Sequence, residues 1–265
     1  MNVIKLQGGL GNQLFQYAFG MAKEEYGLKV YYDDTWYERN KNLEWPRPYR
    51  LDKYDINVKI KNRTRLLKIY DRKNDANRRV IVLDGCYFDG YWQYIKFYNK
   101  ILPILRNKFC VERKWYTDDF LQYVEMITSE ESVSVHIRRG DYAQPHKLDA
   151  LTPLPLQYYY NALKLIDKGS IFIFSDEIEW CKEHFNQENF DRKITFVSLE
   201  DYLDLELMKL CTHNIISHST FSWWAAYLNN NESKKVVAPS HWIISKKKWS
   251  TYDDSVHYPK EWIKI

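Results

Sequence analysis

Residues 133–142 read VSVHIRRGDY. Val133, Val135 and Ile137 alternate with Ser134, His136 and Arg138, which is the two-residue period of a β-strand. One face of such a strand is buried. The other carries a histidine beside an arginine, delivered to the point where Gly140 breaks the strand. A guanidinium is a planar fork of five donors that matches phosphate or carboxylate oxygens. Arg-Arg-Gly-Asp alone fits a salt-bridged strand end equally well, so its surroundings have to decide.

Working outward, strand-like runs recur at Val133–Arg138, Ile171–Phe174, Ile194–Val197, Asn214–Ser217 and Lys235–Ala238. Segments of helical length separate them: Leu156–Asp167, Glu177–Phe185, Asp201–Cys211 and Phe221–Asn229. This alternation predicts an α/β fold with a doubly wound parallel sheet. Open parallel sheets bind ligands at the carboxyl ends of their strands. Polar residues gather there: Arg138-Arg139-Gly140-Asp141, Ser175-Asp176-Glu177, Ser198, and His218-Ser219-Thr220 just before a helix. Hydroxyls and free N–H groups at a helix start suit phosphate oxygens. Arginine on one strand end and Ser-Thr on another converge on a diphosphate site.

The amino-terminal half opens with a strand over Val3–Leu6, a glycine loop at Gln7–Asn12 and a helix from about Gln13 to Tyr26. Asn12 is the expected N-cap and Gly27 the expected stop. Val30–Asp33 reads as the next strand. The dinucleotide fingerprint is not met, because Leu14 occupies its third glycine position, and there is no P-loop. Thr35–Arg50 reads as a loop. Lys59–Arg79 holds nine basic residues and fits a solvated helix face or a patch for an anionic membrane or phosphate-bearing acceptor. Asp84–Tyr98, DGCYFDGYWQYIKFY, is aromatic and polar, as a sugar-contacting surface or ordinary packing would be.

The 265 residues suffice for one large domain or two small ones, and a hydrophobic fraction of 45% supports a folded core. A net charge of +4 is too mild to argue for nucleic acid. Cys86, Cys110, Cys181 and Cys211 form no Cys-x-x-Cys pair and read as reduced thiols of a cytosolic protein. The start looks like a first strand, not a signal peptide, and no run is long enough to span a bilayer. There is no strand-end Asp-x-Asp and no zinc-like histidine spacing, so a metal-independent protein is expected. Trp223 and Trp224 read as packing behind the phosphate loop.

Four stretches together resemble the α-1,2-fucosyltransferases of glycosyltransferase family 11. They are GGLGNQLFQYAFG at 8–20, VHIRRGDY at 135–142, FSDEIEWC at 174–181 and DLELMKLCTHNIISHSTFSWWAAYL at 204–228, with VVAPSHW at 236–242 extending the match. The resemblance implies a GT-B-like fold of two Rossmann-like domains, GDP-β-L-fucose as donor, inversion, and no metal or other cofactor. It places Arg138 on the donor diphosphate, His136 near the nucleoside, Asp204 on guanine, and Ser219 and Thr220 near the phosphates. Gly11, Asn12 and Gln13 would approach the reacting centre. Family members often have Asn where this chain has His218, which leaves a side-chain role there in doubt.

An inverting transfer calls for a base on the acceptor hydroxyl. Asp141 is the best-placed carboxylate, though holding Arg138 or Arg139 is an equal role for it; His146, Asp149 and Glu177 are weaker candidates. The expected organisation is an acceptor-side domain over 1–129, a donor domain over 130–245, and a tail over 246–265, with Trp249 and Trp262, that crosses back onto the first. The expected activity is transfer of fucose to the 2-hydroxyl of a terminal β-galactoside in a surface glycan, in the cytoplasm or peripheral to the inner membrane. The alternatives are a GDP-sugar or glycan-binding module of the same fold, and a fucosyltransferase of other regiochemistry. A basic nucleic-acid binder is remote.

Overall fold

A computed structural model describes residues 1–42, 46–61, 65–71, 79–143, 152–242 and 256–265. The chain divides into two compact units: Met1–Glu112 with Ser255–Tyr258, and Arg113–Asp254 with Pro259–Ile265.

In the first unit β1 (Asn2–Lys5), β2 (Val30–Asp33), β3 (Leu67–Tyr70) and β4 (Cys86–Asp89) form a four-stranded sheet in the order β2-β1-β4-β3. All its pairings are parallel. Helix α1 (Leu10–Glu24) begins one residue after Gly9, whose carbonyl accepts from the amides of Asn12 at 3.0 Å and Gln13 at 3.1 Å. Gly9 is therefore the N-cap, and Asn12, the expected cap, sits inside the first turn. Thr35–Arg39, expected as loop, is a short helix α2 started by Asp33, whose Oδ1 accepts from the Thr35 hydroxyl (2.7 Å) and amide (3.0 Å). Strand β3 lies in the basic run read as a solvated helix face or an anion-facing patch. Four residues cannot display a period, and Leu67 is 70% exposed at the sheet edge, so the run has no core signal to read. Much of that run, residues 62–64 and 72–78, lies outside the described residues. Tyr87, Phe88, Trp92, Tyr94, Phe97 and Tyr98 of the aromatic stretch are buried, which favours packing.

Helix α3 (Arg79–Val82) ends over Lys23. This lysine is fully buried, and its Nζ donates to the carbonyls of Val80, Ile81 and Leu83 at 3.1, 2.9 and 2.8 Å above the ring of Phe88. Burial pulls its ammonium down to about 8. Helix α4 (Leu102–Lys108) completes the unit.

The second unit starts with α5 (Asp118–Ser129), capped by Thr117, and runs through β5 (Ser132–Ile137), α6 (Leu156–Leu165), β6 (Ser170–Ser175) and α7 (Ile178–His184). It continues with β7 (Ile194–Val197), α8 (Asp201–Leu210), β8 (His213–Ile215), α9 (Thr220–Leu228), β9 (Val236–Ala238) and β10 (Ile263–Lys264). The sheet is again parallel throughout, in the order β10-β9-β8-β5-β6-β7. Counted from β5 as the first strand, this is the 3-2-1-4-5-6 order of the Rossmann fold.

All six residues of β5 are buried, not one face only, because a central parallel strand is covered on both sides. Val133, Val135 and Ile137 pack with Tyr159, Ala162 and Leu163 of α6. On the opposite face Ser134 accepts from Asn214 Nδ2 at 2.7 Å, which also donates to the Met208 carbonyl at 2.8 Å. Trp223 and Trp224 are core.

Two boundaries differ from expectation. The amphipathic helix α5 packs on α8, so it belongs to the second unit and the division falls at Glu112, not 129. The tail is shared. Residues 256–258 group with the first unit, where His257 Nδ1 meets the Gln93 carbonyl at 2.6 Å. Beyond them β10 pairs with β9, and Trp262 packs on Trp223 with ring centroids 5.9 Å apart. Trp249 lies outside the described residues. All four cysteines are free; only Cys110 is exposed.

Lys23→Met removes the donors from three carbonyls, one buried and two partly buried, without changing the bulk of the side chain much. It should cost about 2–4 kcal/mol of stability in chemical denaturation, since each orphaned buried polar group costs roughly 1–3 kcal/mol.

Candidate functional site

The strand order reverses between β5 and β8, so the crevice at their carboxyl ends is where a Rossmann-like sheet accepts a ligand. His136 and Arg138 leave from β5, and Ser217-His218-Ser219 from β8. His136 Nδ1 meets Ser217 Oγ at 2.8 Å across this gap, with the imidazole against the ring of Phe221. Burial, and then the charge of Arg138, push this imidazole down to about 3, so it is neutral under all physiological conditions. It offers hydrogen bonds, not charge. Tyr142 bridges the same two loops by donating to the His218 carbonyl at 3.2 Å.

Arg138 is held by a carboxylate from the neighbouring strand. The parallel register sets Ile137 opposite Ser175, so the next residues, Arg138 and Asp176, emerge together. Asp176 Oδ2 lies 2.7 Å from an Arg138 terminal nitrogen, and its Oδ1 accepts from the Arg139 amide at 3.0 Å. A methyl group at Gly140 would lie 2.3 Å from Asp176 Oδ2, so a side chain there would push that carboxylate aside. Arg139 points to a different partner, Glu177, with Nε–Oε2 at 2.9 Å, and its guanidinium lies 3.7 Å from the Trp180 ring centre. Among the described residues the carboxylates that meet the two arginines are Asp176 and Glu177, a role the sequence had offered to Asp141. The side chain of Asp141, like His146 and Asp149, lies outside the described residues.

Ser219 caps α9, its Oγ accepting from the Phe221 amide at 3.3 Å, and Thr220 is the first helical residue. Both are only partly buried, so the start of this nine-residue helix is open to an anion at the crevice. Asp204 lies in the first turn of α8, where the chain enters from β7. Its Oδ1 accepts from the Leu199 amide at 3.1 Å. Burial pushes its carboxyl up to about 8, helped by Asp201 and Glu200 and opposed by that hydrogen bond.

In the first unit the glycine loop follows β1. Gln13 is fully buried: its Nε2 donates to the carbonyls of Gly8 (3.1 Å) and Pro48 (2.8 Å), and its Oε1 accepts from the Arg50 amide at 2.8 Å. A carboxamide so engaged holds the loop and is not turned to a ligand, which corrects its expected donor-binding role. Gly11 is buried in the first turn, while Asn12 is partly exposed. Sequence reasoning placed Asp176 among the polar strand ends without pairing it to Arg138, and it missed Ser217 and Tyr142 as parts of the site. The pairing of Asp176 with Arg138 follows from the β5–β6 register, which the sequence alone does not reveal. Among the described residues no three His, Cys, Asp or Glu side chains gather as metal ligands would.

The family model for glycosyl transferase family 11 matches residues 1–265. The chain belongs to that family. This family 11 glycosyltransferase is 29% identical to an alpha-1,2-colitosyltransferase of Escherichia coli, covering 99% of this chain and 98% of that one. It is 28% identical to the E. coli O-antigen biosynthesis glycosyltransferase WbnK, covering 94% and 97%. Its fold matches the crystal structure of NodZ alpha-1,6-fucosyltransferase soaked with GDP-fucose, with a TM-score of 0.53 at 14% identity over 86% of this chain and 92% of that one. The fold class is the expected GT-B-like one, two Rossmann-like parallel-sheet units.

The raised carboxyl of Asp204 has a signed consequence for stability. The unfolded chain ionises this group near 3.8 and the folded chain near 8, so stability falls as pH rises between those values. Asp204→Asn should therefore match the parent below pH 4 and exceed it in thermal stability at pH 8.

Proposed function

We propose that this glycosyltransferase moves L-fucose from GDP-β-L-fucose to the 2-hydroxyl of a terminal β-galactoside, with inversion and without a required metal. The observation that carries the reading is the clamped Arg138 beside the open start of α9, at the switch point of a Rossmann-like sheet. A guanidinium with five donors can serve Asp176 and a phosphate oxygen together. Charge builds on the departing diphosphate in the transition state. A preorganised fork and the N–H groups around Ser219 and Thr220 stabilise it electrostatically. That removes the need for a cation at the leaving group. The α-1,2 linkage is taken from the name of the full-length E. coli relative, and fucose from the fucosyltransferases that share the fold.

The remaining roles follow from placement. Neutral His136 fixes the crevice wall by holding Ser217 and lies beside the nucleoside. Asp204 accepts from the N–H edge of guanine, which requires its carboxylate form. Asn12, with the backbone at Gly11, approaches the reacting sugar, and Asp141 is the candidate base. The acceptor is a galactose-terminated oligosaccharide or glycolipid. Among the described residues no helix is long and apolar enough to cross a membrane. The name of the E. coli relative also favours a second donor, a colitosyl nucleotide, for the same site.

Two measurements test this. GDP release from GDP-fucose should depend on an added β-galactoside, survive EDTA and fall about 100- to 1,000-fold in Arg138→Ala, as loss of a transition-state donor does. Product linkage is read by NMR, and a colitosyl donor is run beside GDP-fucose. Faster turnover of the colitosyl donor replaces fucose in the proposal, and dependence on a divalent cation ends its metal-free form. Separately, GDP affinity measured by calorimetry should strengthen as pH rises toward 8 and then level, because the guanine-binding form of Asp204 is the ionised one. Asp204→Asn should bind weakly with no such slope.

A further inference from the structure

The loop that leaves β4 is held far more tightly than a surface connection needs. Asp71, at the end of β3, accepts from the amides of Tyr91 (3.1 Å) and Trp92 (2.8 Å) through Oδ2 and from the Tyr94 hydroxyl (2.9 Å) through Oδ1. Gly90 must be glycine, since a methyl group there would lie 2.1 Å from Asp71 Cβ. Trp92 is held in the left-handed region with φ 56°, buried and stacked on Phe19, and its carbonyl accepts from the Tyr98 hydroxyl. A bulky residue in that conformation is costly and persists only where its surroundings over-determine it. The residue this loop delivers is Gln93.

Gln93 Nε2 donates to Asn12 Oδ1 at 3.0 Å, and the Gln93 carbonyl meets His257 Nδ1 at 2.6 Å. The Asn12 amino group then lies on the side of Gly8: a Cβ on Gly8 would fall 2.7 Å from Asn12 Nδ2, and Gly8 itself has φ 80°. The carboxamide is thus held at its oxygen by a donor, while its nitrogen occupies the room that Gly8 leaves by lacking a side chain. An amide left to itself exchanges its two ends readily, because they differ little in shape.

We infer that Gln93 is a positioning residue that fixes the polarity of the Asn12 carboxamide, so that Asn12 serves as an N–H donor to a substrate oxygen and not as a proton acceptor. The inference rests on the proposed nearness of Asn12 to the reacting sugar. Asp71 and His257 hold Gln93 in turn, one through the loop and one through its carbonyl.

The test is Gln93→Glu, which keeps the shape but replaces a donor by an acceptor. The Asn12 amide then turns to give its N–H to the carboxylate and presents its oxygen instead. With GDP-fucose and a β-galactoside, kcat should fall about 10- to 100-fold, as for a misplaced catalytic group. The donor KM should stay within about threefold, since ground-state binding is untouched. In an Asn12→Ala background the same substitution should change kcat by less than about twofold, because the coupled partner is gone. Full activity of Gln93→Glu, or an equal loss in both backgrounds, overturns the inference. The side-chain amide NMR signals of Asn12, assigned by their loss in Asn12→Ala, provide a readout that needs no substrate. They should shift in Gln93→Glu, and unchanged signals overturn the inference. If the parent turns over no GDP-sugar while those signals shift, the activity reading fails and the orientation of Asn12 stands. Should Gln93→Glu not fold, Gln93→Met, which removes the donor without adding charge, is compared by the same signals.

Discussion

A strand at the centre of a parallel sheet cannot carry charge along its length. β5 lies between β6 and β8 with helices on both faces, and every one of its six residues is buried. Charged side chains can therefore appear only where the strand stops. Arg138 and Arg139 follow directly upon Ile137, and the register with β6 brings Asp176 and Glu177 to meet them. The ion pairs are a consequence of the register: once Ile137 faces Ser175, the following residues have nowhere else to go. Gly140 lets the chain turn within contact of Asp176, the partner of Arg138. Removing one partner from such a half-buried pair would leave the other charge poorly solvated, so the pair behaves as a unit.

The same geometry explains what the amino-acid pattern reveals and what it conceals. The five strands and four helices expected after Ser129 are all present, because each alternates apolar runs with polar strand ends over several residues. Leu67–Tyr70 and Cys86–Asp89 are four-residue strands inside basic and aromatic stretches, and nothing local distinguishes them. Arg138, Ser219 and Thr220 were visible as strand-end and helix-start chemistry. Gln13 looked the same as Asn12 in the motif, yet it is consumed by backbone hydrogen bonds while its neighbour is partly exposed. Helical phase separates the two, and phase depends on where the helix begins. Here a glycine cap moved that start three residues earlier than the expected Gln13.

The two units solve the polar problem of a buried sheet differently. The second ties Ser134, Asn214 and Asn229 into a short chain of side-chain amides and a hydroxyl, the Asn229 amide donating to Asn214 Oδ1 at 2.8 Å. Each member is satisfied, so the network favours one packing over its neighbours. The first buries an ammonium instead, with Lys23 collecting three carbonyls at the end of a helix too short to cap itself. A cation at a helix carboxyl end is also the sign that the peptide dipoles favour.

The distribution of free thiols gives this chain a built-in reporter. Cys86 is buried in the first unit, Cys181 and Cys211 are buried in the second, and Cys110 stands exposed. Burial pushes Cys181 up to about 11 and Cys211 further still, so neither reacts as a thiolate while its unit is closed. Each becomes an ordinary thiol only when the surrounding core opens. Thiol exchange under native conditions therefore times the local unfolding of each unit separately. Cys110 supplies the reference rate within the same molecule, and the two halves can be compared without cutting the chain.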